Sequence, residues 1–129
     1  MAKKATKKAK PSPERRSACP IACALDVLGD KWTLLVVRDL MSGKRTYGEL
    51  ADSPESIPTN LLADRLKRLV AAGLADKRAY QDNPPRYEYT LTKRGRELYP
   101  VLDAVKEFGL REFPGSEARI DFSKQANKK

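Results

Sequence analysis

The chain has 129 residues, with 26 Lys or Arg against 17 Asp or Glu, a formal charge of +9 and no histidine. The missing histidine removes the usual general base, the commonest metal ligand and the physiological pH switch, and Cys19 and Cys23 alone do not make a four-ligand zinc site. No P-loop, G-x-G-x-x-G or G-x-S-x-G elbow is present, so an enzyme is not expected and neither is a cofactor or metal.

The length suits one domain with tails. No apolar run approaches the roughly 18 residues of a transmembrane helix, and the basic start MAKKATKKAKPSPERRSA lacks the apolar core of a secretory signal. Two cysteines too close together to staple a fold suit a reducing, cytoplasmic setting. Charge is unevenly spread. Residues 1–18 hold seven bases and one Glu, and residues 115–129 hold four bases and two acids. Within the body, residues 57–96 carry nine bases and four acids, while the flanks 19–56 and 97–114 are each net acidic. The folded part is therefore polarised, with its positive charge in one window.

In chain order, residues 1–18 have almost nothing to bury and are expected as a disordered basic tail, serving either solubility or a sequence-independent grip on phosphates. PIACALDVLG places Ile21, Leu25 and Leu28 on one helical face, with Gly29 as the C′ stop. Asp30 can cap a second helix, KWTLLVVRDLMSG, built on Trp32, Leu35, Val36 and Leu40. In TYGEL, Thr46 and Glu49 form a capping box ahead of Leu50, and Asp52-Ser53-Pro54 ends that short helix. PTNLLADRLKRLVAAGL starts at Thr59 as N-cap and stops at Gly73. Its stripe Leu62, Leu66, Leu69 and Val70 leaves Asn60, Asp64, Lys67 and Arg68 on the opposite face. LADKRAYQ then reads as a strand, DNPP as a turn and RYEYTLT as the returning strand. Thr92 caps a last helix that Pro100 should kink or interrupt. Leu98, Leu102, Val105 and Phe108 share one of its faces, and residues 115–129 are expected as a disordered tail.

Three helices, a hairpin and a further helix are the layout of a winged helix-turn-helix, a mainly α fold with a small β-hairpin. The fourth helix is its recognition helix, suited to the major groove, and the hairpin is its wing. Pro84 and Pro85 stiffen the wing tip beforehand and leave no unpaired N–H there. Arg86 then offers the charge that a narrow minor groove attracts.

The segments ALDVLGDKWTLLVVRDL, TYGEL, NLLADRLKRL, AAGL, PPRYEYTLTKRG and PVLDAVKEFG, after a Cys-Pro start, span roughly residues 19–109. Together they resemble the HxlR-type winged helix-turn-helix transcriptional regulators, relatives in architecture of the MarR group. The resemblance implies a domain over residues 19–114, double-stranded DNA as partner and a homodimer on an inverted repeat. It implies repression more often than activation, in the cytoplasm and on the nucleoid when DNA-bound. Half-sites would lie about one helical turn, ~34–36 Å, apart. In the family the first and last helices build the dimer interface, which suits Ile21, Leu25, Leu102, Val105 and Phe108, although simple core packing suits them equally.

For base readout the candidates are Asn60, Lys67 and Arg68, with Thr59 capping or touching a phosphate. Arg65, nearer the helix edge, suits a phosphate. Asp64 either accepts from a cytosine or orients Arg68 at i+4, the second being favoured. On the wing Arg86 comes first, then Arg78 and Asn83. Arg45, beside the capping box, is a phosphate clamp or a solvated charge. Some members of the family sense oxidants or electrophiles through a cysteine at the position of Cys19. Here it lies at a helix start that favours a thiolate, with Cys19 of a second copy or Cys23 as partner; otherwise it merely packs. Cys23, within the helix, is expected to be buried and inert. No ligand signature identifies a small-molecule effector. Two readings compete with the regulator: a winged-helix protein-interaction module, and a nucleoid-type binder whose affinity comes from residues 1–18.

Overall fold

The computed structural model describes residues 16–123; most of the expected N-terminal tail, residues 1–15, and the end of the C-terminal one, 124–129, lie outside the described residues. The chain forms α1 (Pro20–Leu28), α2 (Thr33–Ser42), α3 (Tyr47–Ala51), α4 (Thr59–Ala71), β1 (Ala75–Asp82), β2 (Pro85–Leu91), α5 (Lys93–Arg96) and α6 (Tyr99–Glu112). No described helix is long and apolar enough to cross a membrane.

Helix α2 is the centre. Thr33, Val36, Val37, Leu40 and Met41 are all buried, a spacing of i, i+3, i+4, i+7 and i+8 that makes one wide stripe. Around it pack Leu50 of α3, Leu62, Leu66 and Leu69 of α4, Ala75 and Leu91 at the hairpin base, and Leu102 of α6. Helix α4 ends as a Schellman motif: Gly73 has φ +77°, the Gly73 amide donates to Val70 O at 3.0 Å, and the Leu74 amide donates to Leu69 O at 2.9 Å. The left-handed backbone that glycine adopts freely turns the chain directly into β1.

Four local expectations need correction. Thr59 is not the N-cap of α4; Pro58 holds that position and no side chain caps the helix. Ile57 is buried just before it, so the chain enters α4 on an apolar anchor instead of a hydroxyl. Gly29 ends α1 in right-handed backbone, φ −81°, because Asp30 takes over the turn by accepting from the Trp32 and Thr33 amides at 3.0 and 3.2 Å. Cys23 is only half-buried, its thiol directed at Ser17 O, because α1 buries none of its residues in the single chain. Finally, residues 115–123 are not a tail. Gly115 turns the chain back, Ser116 N donates to Phe113 O at 3.0 Å, and Phe122 enters the core at 8% exposure against Tyr99, ring centroids 5.5 Å apart. The apolar pair Ile120 and Phe122 was the signal for it.

The hairpin is antiparallel, Ala75 facing Leu91 and Asp82 facing Pro85, with a bulge between Ala79 and Gln81. The turn is Asn83-Pro84, joined by a cis peptide bond. Its base is tied to the segment before α3: Tyr89 N donates to Arg45 O at 2.8 Å and Thr46 bridges Glu88. Thr92 accepts from Gly95 N at 3.1 Å and donates to Gly73 O at 2.7 Å, so one hydroxyl joins the cap of α5 to the end of α4. A Cβ on Gly95 would fall 2.0 Å from Leu74 O, which only glycine avoids here. Pro100 stands in the first turn of α6, where its missing N–H is harmless, and the expected interruption is the break between α5 and α6.

Candidate DNA interface

Leu62, Leu66 and Leu69 fix the inner side of α4 to the core, so Asn60, Ala63, Asp64, Lys67, Arg68 and Ala71 are left outward and exposed. Asn60 and Lys67 make no side-chain hydrogen bond or ion pair among the described residues. Asp64 lies 3.2 Å from Arg68 Nε, the i, i+4 pair the sequence suggested, with Arg68 57% exposed. An arginine so held keeps most of its donors and loses rotamer freedom before it meets a ligand. Ala63, which the polar pattern passed over, completes the face; a methyl there lets a helix approach base edges closely.

Arg65 behaves differently from the phosphate contact expected of it. Its side chain is 12% exposed, its Nε lies 2.8 Å from Asp30 Oδ2, and Nη1 binds Asp64. It fastens α4 to the turn between α1 and α2. Burial pushes the Asp30 carboxyl up, but hydrogen bonds from Thr33, Arg65 and the Trp32 amide outweigh it and hold the carboxyl well below the usual range. Asp30 thus caps α2 and positions α4 together.

The turn before α4 has its own clamp. Arg38 of α2 donates to Glu55 through Nη1 and Nη2 at 2.9 and 2.8 Å, and its Nε donates to the buried Asp39 at 3.0 Å. The Arg38 hydrogen bonds, joined by one from Ser53, hold the Glu55 carboxyl down at about 2. Such a fork fixes direction as well as distance. Tyr47, in the first turn of α3, donates its hydroxyl to Thr59 O at 2.7 Å and closes the other side. The capping box of α3 is complete, with Glu49 accepting from the Arg45 and Thr46 amides and Thr46 from the Glu49 amide.

On the wing, Arg78 and Glu88 face each other across the strands at 2.6 Å, and Arg45 Nη1 reaches the same carboxylate at 3.6 Å. Both arginines stay exposed. Arg86 and Asn83 are exposed at the tip, and Arg86 has no ion pair among the described residues. A cleft of about 440 Å³ between wing and α3 is lined by Tyr47, Gly48, Tyr80, Arg86 and Tyr87 among others. Tyr47 joins that cleft to the start of α4. Lys77 Nζ lies 4.3 Å over the Tyr87 ring. Neither Tyr47 nor Tyr80 follows from charge patterning, which is why the sequence did not single them out.

Cys19 is the exposed N-cap of α1. The nearby Ala22 and Ile21 backbone amides draw the thiol below its ordinary value, although Cys19 makes no side-chain capping hydrogen bond. Of the residues considered for a dimer face, Leu102 is core at 7% exposure, whereas Ile21 is 70% exposed and Leu25, Val105 and Phe108 also lie open.

A short capped helix, a fixed turn, a helix with an outward polar face and a basic hairpin define a winged helix-turn-helix, the architecture of DNA-binding transcription regulators. The profile of the HxlR-like helix-turn-helix family matches residues 27–116, and the chain belongs to that family. It is 42% identical over 101 residues to an HTH-type transcriptional regulator of Synechocystis sp., covering 78% of this chain and 75% of that one. It is 38% identical over 94 residues to one of Mycobacterium tuberculosis, where the match takes in 59% of the relative's length. A MarR-family transcriptional regulator from Porphyromonas gingivalis W83 superposes with a TM-score of 0.65 at 34% identity, over 81% of this chain and 99% of that one. The redox regulator HypR in its oxidized form gives 0.64 at 35% identity, over 70% and 94%.

Proposed function

We propose that the chain is a cytoplasmic, homodimeric repressor that reads an inverted repeat. The outward face of α4 carries this reading: Asn60, Lys67 and Arg68 stand exposed on a helix whose every other side is fastened. Arg68 and Lys67 suit guanine and Asn60 adenine, each good bidentate pair contributing ~1–3 kcal/mol of discrimination. Thr59, its hydroxyl free of capping, and Arg45 suit phosphates. Arg86, Arg78 and Asn83 place the wing on the adjacent backbone or minor groove. The dimer uses α1 and the open side of α6, where Ile21, Leu25, Val105 and Phe108 present apolar surface that a lone chain leaves in water.

Selection of the full chain against random duplex DNA, at physiological salt with excess non-specific competitor, tests this directly. The expected product is an inverted repeat with half-sites about one helical turn apart. Enrichment of no sequence, with undiminished bulk binding, would instead favour a nucleoid-type binder driven by residues 1–18.

A thiol response of the same protein is favoured by the exposure of Cys19 at the N-terminal end of α1. Diamide should change the DNA affinity of the native chain and of Cys23→Ser but not of Cys19→Ser. An equal response from all three proteins removes Cys19 from the role.

A further inference from the structure

The cleft between the wing and α3 gathers exposed aromatic surface that the fold does not use. Tyr47, Tyr80 and Tyr87 line it and all three are exposed, and none of its lining belongs to α1 or α6. Two local features shape it. Tyr80 stands at the bulge, where β1 has one residue more than β2. Strict alternation would put it on the Arg78 side of the hairpin, away from Tyr87. A bulge re-aims such a side chain, and Tyr80 and Tyr87 share one cleft. On the α3 wall lies Gly48, inside a helix that glycine weakens. A Cβ there would meet nothing within 4 Å, and its backbone is not left-handed. Nothing within this chain requires glycine there; its visible consequence is an open wall.

Arg86 is the sole charge on the lining, which holds no carboxylate. The neighbouring acids are engaged: Glu88 by Arg78 and Arg45, and Glu49 by the Arg45 and Thr46 amides. Asp82, at the end of β1, has no ion pair among the described residues, and Lys77, 4.3 Å over the Tyr87 ring, supplies the opposite charge. Tyr47 donates its hydroxyl to Thr59 O, whereas the hydroxyls of Tyr80, Tyr87 and Tyr89 make no hydrogen bond among the described residues. Free O–H donors, ring faces and one guanidinium suit a unit with an apolar ring and an anionic end. Tyrosine and arginine are regular donors to the phosphates and sugars of DNA. The bond from Tyr47 to Thr59 sets the cleft beside the N-terminal end of α4, the end that meets base edges in a helix-turn-helix.

We propose that this cleft seats one deoxyribose and its phosphate, from the DNA strand bordering the groove that α4 reads. The phosphate accepts from Arg86 and from the Tyr80 and Tyr87 hydroxyls, and the sugar lies against the tyrosine rings. The wing then grips the backbone, and Gly48 leaves room for the strand to pass α3. This assignment rests on α4 being the recognition helix.

The test pairs full-length variants with duplexes bearing a single methylphosphonate, an uncharged phosphate analogue, moved along each strand. Tyr80→Phe combined with Tyr87→Phe keeps both rings and removes two donors. It should weaken binding about tenfold, with base preference and salt slope unchanged, because a neutral donor releases no counterion. On the duplex recovered by selection, one methylphosphonate position in each half-site should cost the native chain about tenfold and the double variant far less. Gly48→Leu should weaken binding several-fold by filling the open wall, with no loss of stability. The proposal is overturned if no phosphate depends on the two hydroxyls, if Gly48→Leu binds normally, or if the double variant relaxes base preference. The last outcome would place a base in the cleft. Should selection recover no sequence, the same variants on a mixed-sequence duplex decide, because sugar and phosphate are common to every sequence. Undiminished affinity of the double variant there overturns the cleft; weakened affinity supports it and leaves only the base reading by α4 to fall.

Discussion

On the flank of α4 that faces the bundle, arginines are held by carboxylates: Arg65 by Asp30 at 2.8 Å, and Arg38, across the turn, by Glu55 at 2.8 Å. On the outer face and the wing, Arg68 keeps more than half its surface in water and Arg86 has no ion pair among the described residues. Arg65 and Arg68 are three residues apart on one helix. Their positive charge is the same; what differs is the surface around it. A buried guanidinium must be paired or it destabilises the fold, whereas an exposed one contributes little to stability and remains available to a ligand. Net charge over residues 57–96 therefore overstates the interface, because part of it belongs to the frame beneath.

Asp30→Ala should give the largest effect. It removes the cap of α2 and leaves Arg65 short of its main partner, which together cost roughly 2–3 kcal/mol. Urea unfolding reads this loss, and a double-mutant cycle with Arg65→Met should show coupling between the two positions. Additive changes would dissolve the distinction between frame and face.

Next, Arg68→Ala should leave stability within about 0.5 kcal/mol while binding to the selected duplex weakens by ~1–3 kcal/mol and preference at one base pair relaxes. Were the same variant to unfold more readily and keep its DNA preference, Arg68 would belong with Arg65.

How much of this contrast the letters carried depends on the range of the interaction. The Thr46–Glu49 capping box, the glycine stop at Gly73 and the i, i+4 pair of Asp64 with Arg68 are local, and the period of Leu62, Leu66 and Leu69 oriented α4 without any knowledge of its neighbours. The bond between Arg65 and Asp30 joins residues 35 apart, and no local rule relates them. Arg65 thus looked like one more base at the edge of a polar face. Phe122 was lost for the same reason: its partner Tyr99 is distant in sequence, and a Lys-rich ending disguised one aromatic anchor. Leu102 and Val105 share a helical stripe, but only tertiary packing puts the first in the core and the second in the open.

The frame should also respond to acid. Glu55 is held down at about 2, whereas an unfolded glutamate titrates near ~4.3. A depressed folded value means the contribution is fully present above about 4.5 and disappears as pH falls towards 2. Glu55 is partly solvent-exposed, so screening keeps the effect modest. Glu55→Gln should therefore be less stable than the native chain at neutral pH, and the difference should close between about pH 4.5 and 2. A gap that stays constant through that window would mean the fork to Arg38 does not hold the turn.

The smallest expected change is on the wing. Arg86→Ala removes one exposed charge at a tip that Pro84 and Pro85 already shape, so the fold has no reason to notice. Each phosphate neutralised by a base releases condensed counterions and adds about 0.9 to the slope of log affinity against log salt. Arg86→Ala should lower that slope by about one such increment, with base preference unchanged. Arg78→Ala should lower it less, since Glu88 already holds Arg78 at 2.6 Å and part of its charge is answered within the wing. Equal slopes for the two variants would show that the pair to Glu88 opens on DNA. A shift in base preference with Arg86→Ala would place that side chain in the minor groove, reading its width, instead of on the phosphate ridge.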